Sequence, residues 1–334
     1  MENHQLLHGI CQRGVLINTT VRYWRGCKKL KAEDLGLKPN DVSARLIRLG
    51  QKRLIPRDAL TDFSLIESRS HAAVEGASFP FLGGIARFVP NPNLSGTINT
   101  LEKLRAEFTD ATSSFAENYP TLREKALAEW REAAQHLNGS AERLIATIEQ
   151  AFPPAGAINQ RFEFSWQLFQ ITAPDSIRLE IVDGVTQIEA AQDRQRIATE
   201  ATHRMQSDLN AFIRESVQSL RQETARLASD VLATIDASDK GVHQRTLNRI
   251  GTFIESFRSL NFAADAHLEQ TLEQFRRDLL NRSAEEYRNQ PGAMASLTDG
   301  LNRLRETAVQ LAREDASSIV ARFGQVQRRL ATAI

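Results

Sequence analysis

Metal ligation needs soft or borderline donors gathered at fixed spacing, and the chain's richest such set is His4, His8, Cys11 and Cys27. A structural zinc site takes four ligands, usually in closely spaced pairs. No C-x-x-C pair is present and no further spaced histidine pair follows, so these residues read as a buried cysteine with surface histidines. The loops that support other common chemistries are absent as well. There is no G-x-x-x-x-G-K-[ST] to cradle phosphates, no G-x-G-x-x-G for a dinucleotide, no G-x-S-x-G nucleophile elbow and no H-E-x-x-H zinc helix. Glu285 and Glu286 are adjacent within a helical pattern, where neighbours point in different directions and cannot share one proton or metal. His203, His243 and His267 have no nucleophile and acid beside them in the sequence. The expectation is a protein that is not an enzyme and carries no cofactor.

What the chain does concentrate is positive charge. Residues 21–57 hold eleven Lys and Arg against Glu33, Asp34 and Asp41, a balance of +8 in a chain whose formal total is +1. The candidate contact residues are Arg22, Arg25, Lys28, Lys29, Arg45, Arg48, Lys52, Arg53 and Arg57. They surround a helix-turn-helix pattern broken at Gly50, so one reading is phosphate neutralisation on nucleic acid. Asp58, Asp62 and Glu67 in the second helix make a poor base-reading surface. The other reading is pairing with acids of this chain or of a partner.

The elements that must position this segment are legible from periodicity. Gly14–Val21 is rich in β-branched residues and predicts a strand leading into Tyr23 and Trp24. Asn40 can cap a short helix through Leu46 to Gly50, and Pro56 opens another from Arg57 to about Val74. The run 79–89 predicts a hairpin, with Gly83 and Gly84 at its apex. Leu94, Ile98, Leu101, Leu104 and Phe108 share one helical face. Pro120 either ends that helix or kinks it before Leu122 to Leu137. Asn138-Gly139 is a stop, a helix to Phe152 follows, and residues 161–171 alternate as a strand of a second sheet.

Beyond Pro174 to Gly184 aromatic residues thin out, which divides the chain into an N-terminal module, 1–183, and a helical region, 184–334. Met205, Leu209, Phe212, Ser216, Leu220, Thr224, Leu227, Val231 and Ile235 step by three and four. Leu247 to Phe257 and Leu268 to Leu279 repeat the pattern on either side of a break near Asn261. A third run goes from Leu297 through Leu311, Asp315, Ile319 and Phe323 to Leu330. Short connections near 236–241 and 289–292 suit antiparallel neighbours. The seams can close on each other within the chain or on a second subunit as a homo-oligomer. The fold class expected is mainly α: a small N-terminal α+β module, then an elongated bundle of long antiparallel, coiled-coil-like helices.

Several landmarks resemble a bacterial and phage domain-of-unknown-function family. They are Trp24-Arg25-Gly26 with Lys28-Lys29-Leu30, Glu33-Asp34-Leu35-Gly36-Leu37, Leu49-Gly50-Gln51-Lys52-Arg53-Leu54-Ile55 and Phe88-Val89-Pro90. The resemblance implies genes commonly encoded beside MoxR-type AAA+ ATPases and von Willebrand A-domain proteins, and hence partners of those classes. It implies no activity and no catalytic residue.

Phe79, Phe81, Leu82, Ile85 and Phe88 make the hairpin apolar. It can be a packed core or, beside long helices, the membrane-inserting tongue of a pore former. Two cysteines, no apolar leader and no apolar run near the ~20 residues of a bilayer span predict a cytoplasmic protein. The function expected is a non-enzymatic adaptor or scaffold; nucleic-acid binding through 22–57 and membrane perturbation through the hairpin are the alternatives.

Overall fold

The computed structural model describes residues 2–35, 49–135, 141–170, 187–238, 241–290, 292–314 and 316–323. The fold is mainly α with a small sheet module in the N-terminal half, and it divides into two compact units that interleave along the chain. One comprises residues 1–17, 77–95 and 168–334; the other comprises 18–76 and 96–167. The expected helix after Asn40, the Asn138-Gly139 stop and the composition boundary at 183 lie outside the described residues.

In the first unit, helix α1 (Glu2–Arg13) leads into strand β1 (Gly14–Arg22), which pairs antiparallel with β5 (Ala86–Pro90), Leu16 opposite Phe88. β5 pairs in turn with β4 (Phe79–Phe81), Phe79 opposite Phe88. Gly83 and Gly84, at φ 66° and 89°, turn the chain between β4 and β5 where a side chain would be strained. The hairpin's inner face is core. Phe79, Phe81 and Phe88 are buried against Phe212 of α5 (Gln187–Asp236) and against Phe262.

Helices α6 (Gln244–Leu260), α7 (Ala266–Leu279) and α9 (Ala293–Arg313) complete this core, with the short α8 (Ala284–Asn289) between the last two. Arg221 of α5 contacts Leu311, and Gly241 just beyond the end of α5 faces Met294, so α5 and α9 run antiparallel. The predicted seam residues Leu209 to Ile235, Leu247 to Phe257, Leu268 to Phe275 and Leu297 to Leu311 are buried within the single chain. Their apolar faces are covered without a second subunit. The third seam is not one helix: α9 stops at Glu314, ψ 139°, and helix resumes over 317–323, with Asp315, Val326 and Leu330 outside the described residues.

The second unit is built on aromatic packing. Phe63 of α2 (Thr61–Gly76) meets Tyr23, Phe108, Phe115 and Phe162, while Trp24 packs on Phe115, Tyr119 and Phe152. Helix α3 (Asn91–Gln135) supplies three of these rings, Phe108, Phe115 and Tyr119, and continues through Pro120. Proline lacks the N–H that a helix interior needs. Pro120 faces solvent, however, and buried residues on both sides, Phe115 and Tyr119 before it and Ala126 and Leu127 after it, hold the helix together. Helix α4 (Ala141–Ala151) leads to Phe152 and Pro153, whose carbonyl accepts the Tyr119 hydroxyl at 2.7 Å.

Strand β6 (Glu163–Phe169) is a neighbour of β1 and not the start of a second sheet. The second sheet is a ribbon the periodicity does not announce: β2 (Cys27–Lys29) antiparallel to β3 (Gln51–Arg53). No helix among the described residues is long and apolar enough to cross a membrane.

Candidate partner-binding groove

The β2–β3 ribbon carries four of the nine basic candidates, and its alternation separates them. Cys27 pairs with Arg53, Lys28 with Lys52 and Lys29 with Gln51. Successive strand side chains point to opposite faces, so Cys27, Lys29, Gln51 and Arg53 share one face and Lys28 and Lys52 the other. Because Gln51–Arg53 is a strand, Gly50 does not join two helices, and the helix-turn-helix reading is corrected here. The chain goes from ribbon to a 3-10 turn at Asp58–Leu60 before α2 begins. Short-range helix signals at Arg57 and Pro56 are real, but the residues before them are drawn into the ribbon by pairing with a segment over twenty positions earlier.

Gly26 starts the ribbon. Its φ is +57°, its carbonyl accepts Leu54 N–H at 2.7 Å, and a Cβ there would lie 2.7 Å from Ile55. Leu54 and Ile55 are buried, anchoring β3 to the unit. The Arg53 carbonyl also accepts the indole N–H of Trp130 at 2.9 Å.

The positive charges fall into two groups. Three are matched by acids of the same unit. Lys52 is buried and sits 2.7 Å from Asp34, which also accepts the Lys31 backbone N–H. Arg22 pairs with Glu163 at 2.6 Å. Arg25 donates to both carboxylate oxygens of Glu67, at 2.8 and 3.1 Å, donates to the Tyr23 hydroxyl, and stacks 3.9 Å over the Tyr23 ring centroid. The hydrogen bond from Arg25 holds the Glu67 carboxyl below the usual range against the opposing effect of burial. Burial pushes the Tyr23 phenol up.

The other group is exposed. Lys28, Lys29, Arg53 and Arg57 have no ion pair among the described residues. Arg45 and Arg48 lie outside them.

Arg53 and Arg57 are brought together. They line an open groove of about 440 Å³ with Arg25, Tyr23, Leu60 and Leu65. Leu65 is 55% exposed, one of few large apolar residues at the surface among the described residues. It does not belong to the predicted set, yet the sequence marks it: the buried stripe of α2 is Phe63, Ile66, Ser70 and Val74, and Leu65 lies off that stripe. Arg22 and Lys52 do not line this groove.

The hairpin residues are placed in the first unit. Phe79, Phe81 and Phe88 are core, and Ile85 is the exposed apolar residue near the apex. No group of three or more His, Cys, Asp or Glu among the described residues could hold a metal ion. His8 is exposed and bonds to Gln12, and both cysteines are half-buried.

Several of the landmark residues quoted for the family resemblance now have structural roles. Trp24 fills the aromatic cluster, Arg25 binds Glu67, Gly26 makes the close approach, Asp34 neutralises Lys52, and Phe88-Val89 is buried in β5. No curated protein and no solved structure matches the chain. A family model does match, over residues 11–189, more than half of the 334, and by it the chain belongs to the family described as "Protein of unknown function (DUF3150)".

Proposed function

We propose that the protein is a non-enzymatic adaptor that holds an acidic surface of a partner protein in the groove beside the β2–β3 ribbon. The observation that carries this reading is the division of the basic residues. Arg22, Arg25 and Lys52 are satisfied by Glu163, Glu67 and Asp34, while Arg53 and Arg57 have no ion pair among the described residues and line an open groove beside exposed Leu65. Arginine in such a place is suited to bidentate capture of carboxylates, and charge complementarity speeds encounter and selects partners. The partner classes suggested by the family resemblance are a MoxR-type AAA+ ATPase and a von Willebrand A-domain protein. The buried hairpin phenylalanines favour a packed role for 79–89 over insertion into lipid.

The test is affinity purification of the tagged full-length chain from its own cell, after nuclease treatment, beside the double variant Arg53→Glu/Arg57→Glu. Recovery of a AAA+ ATPase or von Willebrand A-domain protein with the parent chain, and its loss with the variant, supports the proposal. Recovery of neither, with the chain sizing alone or as a self-assembly, overturns it.

A further inference from the structure

We infer that the groove takes a short extended peptide segment in which acidic residues flank one apolar side chain, an inference that rests on the adaptor reading for whose segment it is. Three features select this occupant. The first is charge: Arg53 and Arg57 are exposed, close enough to line one groove, and without carboxylate partners among the described residues. The second is an apolar wall. Leu65, more than half exposed, stands with the Leu60 and Tyr23 side chains on the same groove, so a ligand made only of charge would leave this surface wet.

The third is preorganisation. Arg53 rides on a strand fixed by its register to Cys27 and by the Trp130 hydrogen bond to its carbonyl, and Arg57 sits at the head of the turn whose Leu60 is buried. Ordering such backbone before binding lowers the entropy lost on association.

A nucleic-acid backbone fits less well. It presents a continuous row of phosphates and gains affinity from many cations at once. Here the two guanidinium groups of Arg53 and Arg57 lack ion pairs among the described residues, the neighbouring Arg25 is committed to Glu67, and exposed Asp58 and Asp62 follow Arg57 within five residues and repel a polyanion. A peptide can place a few carboxylates opposite Arg53 and Arg57 and leave neutral residues opposite those aspartates.

The experiment measures fluorescence anisotropy of the full-length protein with a labelled peptide of about eight residues, aspartates and glutamates around a single leucine. Comparison probes are the same peptide with serine for leucine and an equally charged single-stranded oligodeoxynucleotide. The expected result is saturable binding of the leucine peptide. Each of Arg53→Glu and Arg57→Glu should weaken it by roughly 10-fold, as loss of a charge-assisted hydrogen bond does. Leu65→Ser and the serine peptide should each weaken it by about 5-fold or more. All three substituted residues are exposed, and an unchanged circular dichroism melt verifies that each variant is folded.

No saturable binding of the leucine peptide, binding indifferent to these substitutions, or binding of the oligonucleotide in its place overturns the inference. The two proposals fail separately. A AAA+ or von Willebrand A-domain partner still recovered by Arg53→Glu/Arg57→Glu would sink the groove assignment and leave an adaptor. Peptide binding to the groove without any such partner in the cell would sink the adaptor reading and leave the groove.

Discussion

Lys52 Nζ lies 2.7 Å from Asp34 Oδ1 with both side chains almost wholly out of solvent, so a lysine near the end of the most basic stretch of the chain is part of the core. An ion pair in that setting is costly to break from one side, because the remaining charge stays buried. Asp34→Ala should destabilise the protein by about 3–5 kcal/mol. By contrast Arg53→Ala, on the exposed face of the same strand, should change stability by no more than about 0.5 kcal/mol. Chemical denaturation of the two variants checks the contrast, and equal losses would refute the separation into structural and available charges.

A second buried pair organises the helical unit. Arg221 Nε donates to Asp265 at 2.7 Å, and its Nη1 donates at 2.6 Å to the Leu311 carbonyl in the last turn of α9, an acceptor it shares with the Glu314 backbone N–H. One guanidinium thus ties α5, the N-cap of α7 and the end of α9. Arg221→Ala should cost about 3–5 kcal/mol. Hydrogen exchange should show the loss as faster exchange in α9 and α7, with the 18–76 segment unaffected.

Glu67 predicts a pH dependence. Its folded-state pKa is lowered by the Arg25 hydrogen bond, so the carboxylate contributes stability above the unfolded glutamate value of about 4.3, and that contribution is lost as pH falls through the lower folded value. Parent protein should therefore lose its advantage over Glu67→Gln as pH drops from neutral to below about 4. Melting temperatures of both proteins across that range provide the measurement, and a constant difference would count against the Arg25–Glu67 contribution.

Two glycines in helices separate close packing from open space. A Cβ at Gly300 of α9 would lie 2.1 Å from Leu279 and 3.4 Å from Phe275, whereas one at Gly251 of α6 meets nothing within 4 Å. Gly300→Ala should destabilise by about 1–3 kcal/mol through overpacking against α7. Gly251→Ala should stabilise by about 0.5–1 kcal/mol, since alanine gives up less backbone entropy in a helix. Opposite shifts in melting temperature are the expected signature.

Much of this fold follows from local pattern. The three- and four-residue steps of Leu209 to Ile235 and Leu297 to Leu311 are amphipathic over many turns, and a stripe that long has no alternative to burial on another helix. The hairpin at 79–89 was equally readable, because two adjacent glycines between apolar runs leave the backbone few other courses. Pro120 shows the limit of local rules. Its ring argues for a break, but the packing of Phe115, Tyr119, Ala126 and Leu127 against distant residues outweighs one missing hydrogen bond.

The sequence by itself determined that the protein is mainly helical, that its seams are apolar and that positive charge gathers in residues 21–57. Only the tertiary structure decided which of those charges are available. Composition counts Lys52 and Arg53 alike, yet they are neighbours on a strand and therefore point to opposite faces, one onto buried Asp34 and the other into an open groove. That difference depends on pairing Cys27–Lys29 with Gln51–Arg53 across more than twenty residues. No short-range propensity encodes such a pairing, because the contacts that stabilise it exist only once the chain has closed.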